Sequence, residues 1–158
     1  MAVVAALLGA CGAPATTGPP ELRLGVDSCD GCGMAIAEPR YAAAAIVADG
    51  TELRVLRFDD IGCLARWEIR ANGAEVRERW VHDRDTGAWI DAATATYARP
   101  RGLVTPMGSS LVAFEPHPGA SARRTEDGGD ALSWSAVLAR ARDGSLARQP
   151  EPGAGEPR

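Results

Sequence analysis

The sequence predicts an α+β fold in which two similar, small ββαβ half-domains pack together. Three observations lead to this prediction: a hairpin turn between two strand-like segments, a pair of aspartates before a helical pattern, and landmarks that recur at one fixed spacing. The 158 residues suffice for one domain, or for two very small ones packed together.

A β-hairpin opens the first half. Residues 41–48 form an apolar run that ends at Asp49-Gly50, a dipeptide typical of two-residue hairpin turns. Residues 52–58 are then predicted to form the returning strand.

A helix and a third strand complete this half. Asp59 and Asp60 are expected to begin the helix, because aspartate caps free backbone N–H groups and suits the positive end of the helix dipole. The helix is expected to run to Arg70 and stop at Asn72-Gly73, before a strand over residues 75–81.

The same order of elements recurs in the second half. Three pairs of residues share an offset of 56, namely Tyr41 and Tyr97, Phe58 and Phe114, and Gly73 and Gly129. This offset predicts a strand over 111–114, a helix over 120–127 and a closing strand over 131–134, followed by a short terminal helix over 135–142. A cleft between two such halves would be a favoured place for a ligand.

The two ends of the chain are predicted to lie outside the folded domain. Residues 1–11 are apolar but too short to span a bilayer, and they end in Leu8-Gly-Ala-Cys11, which resembles a bacterial lipobox. We therefore expect an extracytoplasmic protein held to the membrane by a lipid on Cys11, although a frayed apolar end with an incidental cysteine would look the same.

The domain organisation follows from these ends. Residues 1–20 are predicted to be a signal segment and flexible tether, and residues 21–142 the folded domain, with halves at about 21–84 and 85–142. Residues 143–158 are rich in Gly, Pro and charge and are expected to be a disordered tail.

The charge pattern excludes one class of partner. The net charge is −4, lysine is absent, and no basic stripe is interleaved with aromatic residues, so no nucleic-acid partner is expected. The motifs of phosphate loops and of serine or zinc hydrolases are also absent, so the chain is not expected to be an enzyme.

The strongest chemical signal is Cys29-Asp-Gly-Cys32-Gly-Met34. Two cysteines at this spacing present both sulfurs to one ion, and the glycines between and after them let the backbone fold tightly around it. Met34 adds a thioether, and thiolate with thioether is the soft ligand set that selects Cu(I).

Three other interpretations of the two cysteines stay open. They would suit a plain disulfide in an oxidising compartment, a thioredoxin-like redox pair, or half of a zinc site. The redox pair would make the protein a thiol-disulfide oxidoreductase that uses Cys29 and Cys32. The zinc site lacks a second pair of ligands in the sequence.

Two more sulfurs are candidate ligands. On a helix that starts near Asp59, Cys63 lies opposite the apolar stripe, so it should either face a metal cleft or be exposed. Met107 lies between proline and glycine, where a methionine has little core to fill. The two histidines, His82 and His117, are expected on the surface.

Four segments together resemble the NosL family, whose members are copper chaperones associated with the assembly of nitrous oxide reductase. The resemblance covers about residues 22–138, and its segments are Cys29-Asp-Gly-Cys-Gly-Met34, Phe58-Asp-Asp-Ile-Gly-Cys63, Val81-His-Asp83 with Thr86-Gly-Ala-Trp-Ile-Asp91, and Thr105-Pro-Met-Gly108.

This resemblance implies an outward-facing lipoprotein with two ββαβ halves, carrying Cu(I) to a copper-receiving client protein or its maturation complex. The lipobox-like Cys11 matches the family pattern of a lipid-attached cysteine. The resemblance favours Cys32, Met34 and Met107 as copper ligands over Cys29 and Cys63.

Overall fold

The computed structural model describes residues 17–71, 73–116 and 131–146, and the fold is α+β, as the sequence predicts. A four-stranded antiparallel sheet has the order β2-β1-β3-β4, and a two-stranded antiparallel sheet pairs β5 with β6. The elements are a 3-10 turn at Pro39–Tyr41, β1 (Ala43–Asp49), β2 (Glu52–Phe58), α1 (Ile61–Arg70), β3 (Glu75–His82), β4 (Trp89–Asp91), β5 (Thr96–Ala98), β6 (Val112–Phe114) and α2 (Trp134–Arg142).

The apolar strand β1 lies at the centre of the larger sheet. Its first five residues are all buried, although successive side chains point to opposite faces, so both faces of this strand are covered. Alanines fill most of these positions, which explains why a core strand has so few large side chains. The turn that joins it to β2 consists of Gly50 and Thr51, one residue later than predicted, because Asp49 pairs with Glu52; Gly50 has a φ of 63°.

Helix α1 begins where the sequence predicts. Asp60 is the N-cap: its backbone is extended, and its side chain accepts a hydrogen bond from the Gly62 amide. The first five residues of the helix are all buried, so it packs on more than one side, and its partners include α2.

The second half repeats the pairing of the first half in a shorter form. In each half the first strand is central: β1 lies between β2 and β3, and β5 lies between β6 and the segment that contains Leu132. The strand order of the two halves is therefore similar, although β5 lies earlier in the chain than an offset of 56 residues from β1 would place it. The helix predicted over residues 120–127 lies outside the described residues.

Several element boundaries differ from the prediction. The strand expected over 131–134 is a single bridge at Leu132, because Ser133 caps helix α2, which starts at Trp134. Residues 89–91 lie within the predicted second half, about 85–142, but they form β4 of the first sheet after a tight turn held by Asp83. The ordered chain also extends beyond residue 142, since Leu146 packs into the core.

The expectation of a surface position for His82 is wrong. The ring is buried: it stacks on Trp89 with centroids 3.7 Å apart, and its Nδ1 lies 3.2 Å from the Ala42 carbonyl oxygen. Burial lowers the pKa of His82, so the ring is held neutral. His117 lies outside the described residues.

The described helices are also short. None of them is long and apolar enough to cross a bilayer.

One tight contact fixes the second half against α1 and generates a prediction. A Cβ added at Gly62 would lie 2.5 Å from the Ser109 Cβ, closer than two carbon atoms of different residues approach. Alanine usually favours a helix over glycine by about 1 kcal/mol. We nevertheless expect Gly62→Ala to lower the free energy of unfolding by about 1–3 kcal/mol through overpacking, measured by denaturant titration.

The control is the double variant Gly62→Ala with Ser109→Gly, which removes the opposing Cβ and should recover part of the loss. A Gly62→Ala protein that is more stable than the wild type would show that the residue 105–109 loop does not pack against α1 in this way.

Candidate metal centre

The first cysteine pair lies in a small hairpin. Ser28 and Ala35 form a bridge, the Cys29 amide donates to the Met34 carbonyl oxygen at 2.8 Å, and the Gly33 amide donates to the Cys29 carbonyl oxygen at 2.7 Å. Gly33 has a φ of 78°, a conformation that glycine adopts at little cost. The glycines that the sequence places here therefore turn the backbone sharply between the sulfur residues.

The hairpin is attached to the end of strand β2. The Asp30 amide donates to the Arg57 carbonyl oxygen at 2.8 Å, and the Arg57 amide donates to the Asp30 carboxylate at 2.7 Å. Beside it, a Cβ added at Gly31 would lie 3.3 Å from the Cys63 Cβ. The hairpin thus lies directly against the first turn of α1, and a larger side chain at Gly31 would push the two apart.

This packing brings three cysteines and one aspartate together. The Sγ atoms of Cys29, Cys32 and Cys63 and a carboxylate oxygen of Asp59 all lie within 4.8 Å of one another. Cys29, Cys63 and Asp59 are buried, whereas Cys32 is exposed, and none of the three cysteines forms a disulfide. The site is therefore closed to solvent at Cys29, Cys63 and Asp59 and open to solvent at Cys32.

Hydrogen bonds stabilise a thiolate at the centre of the cluster. The Cys63 thiol and the backbone N–H groups of Asp59 and Gly31 donate to the Cys29 sulfur, and they lower the pKa of Cys29 from 9.0 to about 5 despite its burial. At neutral pH this sulfur carries a negative charge.

The other two thiols stay protonated. The hydrogen bond to Cys29, together with burial, raises the pKa of Cys63 far above its usual range, although the Arg66 guanidinium lies 3.7 Å from its sulfur. Burial beside the charged Cys29 also raises the pKa of Cys32. The metal-free cluster thus holds one thiolate and two thiols.

Asp59 is the site residue that sequence reasoning missed. The sequence predicts that both aspartates begin the helix, but only Asp60 has that role. The side chain of Asp59 is 3% exposed, and its Oδ1 has no hydrogen-bond partner. Burial, with the nearby Cys29 charge, raises the pKa of Asp59 to about 6. A periodicity argument gives no sign that it faces sulfur.

The two methionines have different surroundings. Met34 is 58% exposed beside the open side of the cluster, where its carbonyl oxygen accepts from Cys29. Met107 is half-buried and packs against the core that contains Cys29 and Cys63, and its amide donates to Asp60 at 3.1 Å. The start of α1 therefore contacts both the hairpin and the Met107 loop, while Cys11 lies outside the described residues.

The NosL family model matches residues 24–141, which include the whole cluster and both methionines. The chain belongs to the NosL family.

A solved structure has the same fold. The crystal structure of the copper chaperone NosL from Shewanella denitrificans matches with a TM-score of 0.54 and 21% sequence identity, over 74% of this chain and 96% of that one. At this identity the match establishes a shared fold. The comparison with curated proteins gives no match.

The thiolate generates a prediction for the metal-free, reduced protein. One thiolate should titrate near pH 5 by ultraviolet absorbance, and it should disappear in Cys29→Ser and persist in Cys32→Ser. Because the folded pKa lies below the unfolded value, the Cys29 thiolate should stabilise the fold fully above pH 9 and lose its contribution as the pH falls through 5.

The free energies of unfolding of wild type and Cys29→Ser should therefore diverge as the pH rises from 6 to 8. Absence of any thiolate at neutral pH would contradict the assigned hydrogen bonds to the Cys29 sulfur.

Proposed function

We propose that this chain is a Cu(I)-binding metallochaperone that works outside the cytoplasmic membrane. The observation that carries the proposal is the cluster of three cysteine sulfurs, of which one is a thiolate before any metal arrives. Membership of the NosL family and the fold shared with a copper chaperone support copper as the ion.

The donor atoms favour the reduced ion. Thiolate and thioether sulfur are soft ligands that select Cu(I), whereas Cu(II) prefers nitrogen and oxygen and oxidises thiolates. In the proposed complex Cys29 supplies the one sulfur that is already ionised before the ion binds. The ion then displaces protons from Cys32 and Cys63, because a metal-bound thiol is deprotonated. Met34 and Met107 are the candidate thioether ligands.

Transfer to a partner is proposed to occur at the open side of the site. Cys32 and Met34 are exposed, so an incoming sulfur of another protein could replace them one at a time. Such ligand exchange requires no catalysis by the chain itself, and we therefore propose a carrier and not an enzyme. The client is proposed to be a copper enzyme such as nitrous oxide reductase, or its maturation complex.

The geometry does not favour a thiol-disulfide oxidoreductase. An attacking cysteine needs to be both ionised and accessible. Here the ionised Cys29 is 2% exposed, while the accessible Cys32 has a raised pKa. The two properties lie on different residues, so neither sulfur is suited to attack an external disulfide.

The copper proposal is tested by competition of the reduced protein with a chromophoric Cu(I) chelator under anaerobic conditions. We expect one tightly bound Cu(I) per chain. Mutation of a residue that only orients a metal ligand typically lowers metal affinity by roughly 10–100-fold. Removal of a ligand itself should cost more, so Cys29→Ser and Cys32→Ser should each lower the Cu(I) affinity by more than about 100-fold. Met34→Ala should lower it less, since a neutral thioether is lost.

The matched control is Leu53→Ala, which shortens another exposed apolar side chain, on β2, and should leave the affinity unchanged. A wild-type chain without tight binding would overturn the proposal, as would Cys32→Ser and Met34→Ala proteins that bind as the wild type does.

The proposed location rests on the lipobox-like segment of the sequence. If a lipid on Cys11 anchors the chain, Cys11→Ser should move the protein from the membrane fraction to the soluble fraction in an exporting bacterial host. Cys32→Ser is the control and should stay in the membrane fraction. Membrane recovery of Cys11→Ser equal to that of the wild type would reject the anchor.

A further inference from the structure

Asp60 contacts more than the helix that it caps. Its Oδ1 accepts from the Gly62 amide at 2.7 Å, which satisfies the start of α1. Its Oδ2 accepts from the Thr105 hydroxyl at 2.6 Å and from the Met107 amide at 3.1 Å. The carboxylate is completely buried, and it therefore ties the first half of the fold to the Met107 loop of the second half.

The loop is constrained at further points. The Gly108 amide donates to the Thr105 carbonyl oxygen at 2.9 Å, and the Ser110 amide donates to the Thr105 hydroxyl at 3.0 Å. Ser110 has a φ of 57°, and among the described residues it is the one non-glycine residue in the left-handed region. A loop held in this way has few alternative conformations.

The segment that contains Asp60, residues 59–63, also contributes to the thiol cluster. The Cys63 amide donates to the Asp60 carbonyl oxygen at 2.8 Å, and Asp59, the preceding residue, reaches the thiol cluster. Asp60 therefore follows the cluster residue Asp59 directly in the chain, and its carboxylate accepts a hydrogen bond from the Met107 amide. A shift of its side chain would move the Met107 loop relative to the thiols.

We propose that Asp60 is a positioning residue for Met107: its carboxylate holds the Thr105–Met107 turn so that the Met107 thioether reaches a Cu(I) ion on the thiol cluster. The proposal rests on the proposed copper function and assigns no ligand role to Asp60 itself. Both of its oxygens already accept from N–H or O–H groups, which leaves it to act through the loop.

Asp60→Asn separates the positioning role from the capping role. Asparagine retains an oxygen for the Gly62 amide and is as good an N-cap as aspartate. Its NH2 group cannot accept from the Met107 amide, so the hold on the loop is lost. Asp83→Asn is the matched control, because Asp83 is another buried carboxylate that joins the halves, accepting from the Glu115 amide at 2.7 Å.

The test is a double-mutant cycle on Cu(I) affinity in the full chain, measured by chelator competition. Asp60→Asn should lower the affinity about tenfold, as is common for residues that orient a ligand. Met107→Leu should lower it at least as much. In the Met107→Leu background, Asp60→Asn should change it by less than about twofold, because the residue on which it acts is gone.

X-ray absorption of the Cu(I)-loaded proteins should show one fewer sulfur neighbour in Asp60→Asn and in Met107→Leu than in the wild type. Asp83→Asn should leave both the affinity and the sulfur count unchanged. A second readout needs no copper: exchange of the Met107 amide hydrogen should rise about fivefold in Asp60→Asn, as expected for one lost hydrogen bond, and stay unchanged in Asp83→Asn.

Independent, additive losses from Asp60→Asn and Met107→Leu would overturn the proposal, as would unchanged Met107 amide exchange in Asp60→Asn. If Met107→Leu binds Cu(I) as tightly as the wild type, the positioning role for copper fails while the proposed copper function stands. If the wild type binds no Cu(I), the two fail together.

Discussion

The close approach of the Cys29–Met34 hairpin to the first turn of α1 is the constraint on which the site depends. Gly31 permits it, because a Cβ there would already lie 3.3 Å from the Cys63 Cβ. At this separation the Cys63 thiol donates to the Cys29 sulfur, and the Asp59 amide does the same. A hairpin held farther away would leave the buried Cys29 without these donors, and burial alone would keep it protonated.

The electrostatics of the cluster suit the uptake of a cation. One thiolate lies beside a buried carboxylate whose Oδ1 has no hydrogen-bond partner, so a further negative charge in the cluster would be costly. Burial raises the pKa of Cys32 and the hydrogen bond to Cys29 raises the pKa of Cys63, and the negative charge of Cys29 adds to both effects. A bound cation would offset this cost, so under the proposed function Cys32 and Cys63 would deprotonate only as ligands of the ion.

The sequence predicts the fold better than it predicts the site. Turn and cap residues are local signals, so the Asp49-Gly50 hairpin and helix α1 are found close to their predicted positions. The helical pattern predicts that Cys63 faces either a cleft or solvent, and in the structure its sulfur lies in the thiol cluster while the residue is buried among the core side chains. The burial of His82 and Asp59 could not be predicted, because it depends on which distant segments cover them.

The two adjacent aspartates show why this limit arises. The backbone at Asp60 is extended, with φ −151° and ψ 136°, and successive side chains of an extended chain point to opposite sides. Asp59 therefore faces the thiol cluster while Asp60 faces the helix start and the Met107 loop. Both residues satisfy the same local rule for beginning a helix, and only the packing of the two halves around them separates a cap from a member of the site. The two residues that precede α1 thereby place the Asp59 carboxylate beside the sulfurs and the Asp60 carboxylate against the loop that contains Met107.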